Sequence, residues 1–183
     1  MRQLVLTAAF ALAYSVMLAA QEPVVSGTTG SMPSATATLM DGSGRGVGEA
    51  RLQQTPHGVL LRLDLKNATP GVHGFHIHEV GRCDAPSFES AGGHFSPDRR
   101  DHGFLNPSGP HAGDLPNISV PSSKELSIEY LIPNLTLDPG PRSLLDANGS
   151  AIVIHADQDD YFSDPAGHAG DRLACGPIVR SAR

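Results

Sequence analysis

The sequence predicts an all-β domain of eight short strands, an antiparallel sandwich or barrel that carries two long loops. Three observations point there. Short runs of alternating apolar and polar residues recur along the chain, and clusters of Gly, Pro, Asn and Asp separate them. The 20 Gly and 15 Pro among 183 residues also leave little room for long helices.

Residues 1–20 read as a secretory signal peptide: a charged start at Arg2, an apolar stretch from Leu4 through Leu18, and a small-residue exit at Ala19-Ala20. A membrane span needs about 20 apolar residues, and Thr7, Tyr14 and Ser15 interrupt this one. No Cys follows it, which excludes a lipid anchor there. The expected protein is exported, periplasmic or extracellular, with no membrane span in the mature chain. Residues 21–33, rich in Ser, Gly, Thr and Pro, are expected to be a flexible tether rather than part of the core. The domain proper covers residues 34–183.

Within that domain, extended runs fall at 34–40, 46–54, 58–66, 72–79, 117–121, 124–132, 150–155 and 174–179. The third is the clearest: Val59, Leu61, Leu63 and Leu65 share one face, with Arg62, Asp64 and Lys66 on the other. Pro177 lacks a backbone donor, so the last run lies at an edge or stops pairing early. Segments 80–116 and 156–173 are too long for hairpins, and long loops in small domains usually carry function.

Charge excludes some partners. Thirteen Lys plus Arg face 19 Asp plus Glu, a net charge of −6. No basic cluster offers a surface to nucleic acid or anionic lipid. The two cysteines, Cys83 and Cys175, are expected to form a disulfide in an oxidising compartment, the alternative being two buried thiols. Closing a loop of about 90 residues removes roughly 4 to 5 kcal/mol of unfolded-chain freedom. Asn67, Asn117, Asn134 and Asn148 each begin an Asn-x-Ser/Thr sequon, expected by chance.

The anomaly is nine histidines. His76 and His78 alternate on a strand, so both imidazoles point to one face and can approach one metal. In the first long loop His94, His102, His111 and Asp114 follow, three imidazoles and a carboxylate, a set that suits tetrahedral zinc. His155 ends the apolar strand Ala151-Ile152-Val153-Ile154, placed to meet His76 and His78. Imidazole ligation without thiolate favours copper or zinc over magnesium or calcium.

The segments GFHIHEVGRC, AGGHFSP, HAGDLPN, AIVIHADQDD and GHAGDRLACG resemble, in order and spacing, the copper/zinc superoxide dismutase family. The resemblance covers residues 34–179, and the zinc-loop wording is closer to exported bacterial members. It implies a Greek-key β-sandwich or barrel, with superoxide as substrate and dioxygen and hydrogen peroxide as products. It assigns copper to His76, His78, His94 and His155, and zinc to His94, His102, His111 and Asp114. His94 would bridge the two metals and return a proton to the second superoxide. Asp159 would join a copper-site to a zinc-site histidine, Cys83 and Cys175 would match the family disulfide, and Arg172 would guide the anion to copper.

The chain departs from the family's pattern in places. Segment 156–171 holds Asp157, Asp159, Asp160, Asp164 and Asp171 and no lysine, where many members place one; Arg99 and Arg100 are the expected substitutes in steering. His57, His73 and His168 match no ligand position, and His73 reads as a solvated turn residue. Two alternatives stand beside the enzyme: a copper and zinc carrier without turnover, and a metal-free structural sandwich. Monomer and homodimer both stay open.

Overall fold

The protein is described by a computed structural model covering residues 32–182. The expected signal peptide at 1–20, and the expected tether up to residue 31, lie outside the described residues.

The strands are β1 (Ser34–Asp41), β2 (Gly46–Thr55), β3 (Gly58–Leu65), β4 (Gly71–His78), β5 (Asp114–Val120), β6 (Leu126–Ile132), β7 (Ala151–His155), β8 (Arg172–Pro177) and β9 (Val179–Arg180). Eight of them run in the order β5-β4-β7-β8-β1-β2-β3-β6, with β9 paired to β1. Every strand-to-strand ladder is antiparallel, and the connections from β3 to β4 and from β6 to β7 cross over, as a Greek key requires. Among the described residues the only helical element is one 3-10 turn, Glu89–Ala91.

The ninth strand corrects the expectation of one run at 174–179. Pro177 ends β8, and the chain resumes pairing with Ala35 and Thr36 of β1 through Arg180 and Val179. The expected early end to pairing is thus what this proline produces.

Alternation builds the barrel core. Val59, Leu61, Leu63 and Leu65 of β3 are buried while Arg62 is exposed. Each such leucine contributes roughly 1.5 to 3 kcal/mol on burial.

Strands β4 and β7 differ because both faces are covered. Phe75, Ile77, Ile152 and Ile154 point into the barrel. The opposite face of β7, Ala151 and Val153, packs with Phe88, Ala91, Cys175 and Cys83 beneath the first long loop. By the same alternation His76, His78 and His155 lie on that outer face, roofed by the loops rather than by solvent. Cys83 and Cys175 form a disulfide that ties the first loop to β8.

Candidate metal centre

Register gathers the histidines. His76 lies opposite Val153 of β7 on one side and Asp114 of β5 on the other. His155, two residues beyond Val153, is therefore a diagonal neighbour of His76 on the same face. An isolated bridge from His78 to His94 draws the first loop against the end of β4. One strand thus receives a histidine from β7, a carboxylate from β5 and a histidine from a loop.

Two four-residue groups result, and they share His94. His76, His78, His94 and His155 form one, and His94, His102, His111 and Asp114 the other; in each, one candidate ligand atom per residue lies within 4.8 Å of the rest. All seven residues are buried except His111, which is half-buried.

Hydrogen bonds fix which nitrogen each ring offers. His78 Nδ1 lies 2.9 Å from the Gly92 carbonyl and His155 Nδ1 3.2 Å from that of Gly170, so the two Nε2 atoms face one another at 3.4 Å. His76 Nε2 lies 2.7 Å from Asp159 Oδ2, which leaves Nδ1 for the cluster. In the second group Asp114 Oδ1 sits 2.8, 3.1 and 3.3 Å from Nδ1 of His94, His102 and His111. His94 thereby turns Nδ1 to the second group and Nε2 to the first.

His76 Nδ1 and His94 Nε2 are buried and have no hydrogen-bond partner among the described residues. A buried polar atom left so costs about 1 to 3 kcal/mol, and native folds rarely keep one without use. Both atoms point into the all-histidine group, where a metal would bind them. The donor set, four nitrogens in one group and three nitrogens with one carboxylate oxygen in the other, fits copper and zinc.

The electrostatics divide along the same line. Burial pulls the pKa of His94 and His155 down to about 4 and lowers those of His76 and His78 as well. These rings are neutral, the form that ligates a metal. Burial also opposes charge on His102, but the carboxylates of Asp114 and Asp159 prevail and raise it to about 9. Both carboxyls are held well below their ordinary range despite burial, chiefly by hydrogen bonds from His102.

Asp159 joins the groups, its Oδ2 on His76 and its Oδ1 3.0 Å from His102 Nε2. Gly167 has φ 63°, and a Cβ there would stand 1.9 Å from Asp159 Oδ1, so only glycine lets the loop close over the carboxylate. Arg172 is half-buried, and its Nη1 and Nη2 donate to the carbonyls of Phe88 and Gly92 at 2.7 Å each. It lines a cleft of about 500 Å³ with Ser87, Glu89 and Asp171.

A family model for copper/zinc superoxide dismutase (SODC) matches residues 47–178. The chain belongs to the copper/zinc superoxide dismutase family. It is 48% identical over 144 residues to superoxide dismutase [Cu-Zn] 1 of Aquifex aeolicus (strain VF5), covering 78% of this chain and 85% of the relative. The superoxide dismutase [Cu-Zn] of Caulobacter vibrioides is 45% identical over 148 residues, 79% of this chain and 85% of the relative. Among solved structures, a SOD-like protein from Bacillus subtilis superposes with a TM-score of 0.76 at 37% identity, covering 79% of this chain and 97% of that one.

Within this superoxide dismutase fold one expectation needs adjustment. His73 is buried rather than solvated: its Nδ1 lies 2.8 Å from the carbonyl of His155 and its Nε2 2.9 Å from that of Thr69. It braces the backbone of a cluster histidine, and a histidine three residues before His76 gave no signal of that contact. Arg99 and Arg100 do not line the Arg172 cleft; Arg100 donates to the carbonyls of Ser108 and Gly109 and lines a groove beside His111. His57 and His168 are exposed and belong to neither group.

Asn117, a sequon and the first residue of an extended run in the sequence, holds the loop around Asp159. Its side-chain amide donates to the Asp159 carbonyl at 2.8 Å, and its Oδ1 accepts the Asp159 N–H at 2.9 Å.

Proposed function

We propose that this chain converts two superoxide anions and two protons into dioxygen and hydrogen peroxide. Copper would be held by His76, His78, His94 and His155, and zinc by His94, His102, His111 and Asp114. The observation that carries the reading is His94, whose two ring nitrogens face the two buried groups separately.

Copper, when bound, supplies the reversible one-electron chemistry, while zinc has no accessible redox change and acts structurally. The chain's residues do the rest. His94 Nε2, buried and without another partner, is the atom that carries a proton to the reduced substrate. Its Nδ1, facing Asp114, keeps the ring in register while the proton moves. Asp159 orients His76 and His102 from behind, as outer carboxylates orient ligating imidazoles. Arg172, with both terminal nitrogens anchored on carbonyls, presents a fixed cation to an arriving anion.

The reading extends to location: residues 1–20 serve export, residues 21–33 tether the domain, and it works in a periplasmic or extracellular space. The Cys83–Cys175 disulfide suits an oxidising compartment. A second reading, a copper and zinc carrier without turnover, draws on Glu89 and Asp171, two carboxylates beside Arg172 in the cleft.

The deciding experiment follows superoxide dismutation against copper content in the zinc-loaded protein. Turnover rising in proportion to copper up to one per chain, and lost in His94→Ala, supports the enzyme. Full copper without turnover supports the carrier.

A further inference from the structure

Tyr161 stands outside both metal groups, yet it is fastened at three points around the carboxylate that links them. Its N–H donates to Asp159 Oδ1 at 2.6 Å. Its hydroxyl oxygen accepts the backbone N–H of Asn117 on β5 at 2.7 Å. Its carbonyl accepts the N–H of Leu105 at 2.8 Å, in the loop that carries His102. The ring packs against Phe104, centroids 5.3 Å apart.

The backbone conformation is unusual for such a residue. Tyr161 has φ 62°, a left-handed conformation that strains a bulky side chain and persists only where the surroundings impose it. The surroundings do so. Gly103, itself at φ 100°, lets the Tyr161 carbonyl approach to where a Cβ would be 2.2 Å away. Three hydrogen bonds and this close approach hold the strained residue between β5, the loop around His102 and the loop around Asp159.

We propose that Tyr161 is a positioning residue of the metal centre, setting the Asp159 carboxylate so that one oxygen meets His76 and the other His102. The proposal rests on the copper and zinc assignment given above. Asp159 Oδ1 takes bonds from both Tyr161 N–H and His102 Nε2. Rotation of the carboxyl group would break both together. The tyrosine hydroxyl, by gripping β5, keeps that amide in place. The hydroxyl therefore acts on the metals through Asp159, while the bond from Leu105 N–H to the Tyr161 carbonyl does not depend on the hydroxyl.

The test compares zinc release to a chelator from the fully loaded protein, in Tyr161→Phe, Asp159→Asn and the double variant. Wild type must first show zinc bound; its absence would refute the metal assignment itself, before any variant is compared. Loss of an outer carboxylate costs roughly 10- to 100-fold in metal affinity, so Asp159→Asn should release zinc at least about tenfold faster. Tyr161→Phe should release it roughly three- to tenfold faster, being one contact further out. The decisive outcome is the double variant releasing zinc no faster than Asp159→Asn alone, since residues acting through one contact are not additive. Phe104→Leu, which keeps every Tyr161 hydrogen bond, should match wild type. An unchanged rate in Tyr161→Phe, or a double variant whose effect is the product of the two single effects, would overturn the proposal.

Discussion

The carbonyl oxygen of Gly92 receives the Arg172 guanidinium at 2.7 Å, and the same oxygen lies 2.9 Å from His78 Nδ1. The cation beside the cleft and a histidine of the all-nitrogen group are thus set by one backbone atom. A lysine has a single point donor and cannot span the Phe88 and Gly92 carbonyls as the planar fork does. Arg172→Lys should therefore lower the bimolecular dismutation rate by roughly tenfold, while metal content stays at the wild-type level. Stopped-flow decay of superoxide with metal analysis checks both.

The cleft around Arg172 is lined by two carboxylates, Glu89 and Asp171, and, among the described residues, by no other cation. An anionic substrate should feel their repulsion. Glu89→Gln combined with Asp171→Asn should raise the rate at low ionic strength by roughly two- to fivefold, the gain fading as salt screens the charges. Neutralising Arg99 and Arg100 should change the salt profile little, because Arg100 is engaged with Ser108 and Gly109 and neither lines this cleft. A profile flattened by that pair would restore them to the steering path.

Without metals, stability should peak near pH 6.5. The folded pKa values of His94 and His155 are lowered to about 4. Between about 6.5 and 4 the unfolded chain therefore takes up protons that the native state refuses, and stability falls as pH falls. His102 is raised to about 9, so its contribution is complete below about 6.5 and is lost as pH rises through 9. Bound metals replace protons on these rings and should move the peak and broaden it. Urea unfolding of the metal-free protein from pH 4 to pH 9.5 reads the curve directly, and a flat profile would contradict the burial argument.

Cys83 opens the segment whose Phe88 and Gly92 carbonyls hold Arg172, and Cys175 lies on β8 three residues after that arginine. Cys83→Ser with Cys175→Ser should cost roughly 2 to 5 kcal/mol of stability. The rate should fall further than loss of folded protein explains, because the carbonyl anchors of Arg172 loosen. Rates normalised to folded fraction by circular dichroism separate the two effects.

The strands were legible because alternation is local: β3 needed only Val59, Leu61, Leu63 and Leu65 against Arg62. The ligand face was legible for the same reason, since His76 and His78 must share a side, and His155 follows from the run before it. His73 was not legible, because its partners are carbonyls of Thr69 and His155 brought near only by the pairing of β4 with β7. Asn117 and Tyr161 were hidden likewise, as their work lies in backbone groups contributed by distant segments.

Diffraction from the metal-loaded protein, at energies spanning the copper and zinc absorption edges, tests whether His94 belongs to two metals at once. The expected result is copper among His76, His78, His94 and His155, and zinc among His94, His102, His111 and Asp114, one on each ring nitrogen of His94. A single metal in one group, or either metal away from His94, would contradict it.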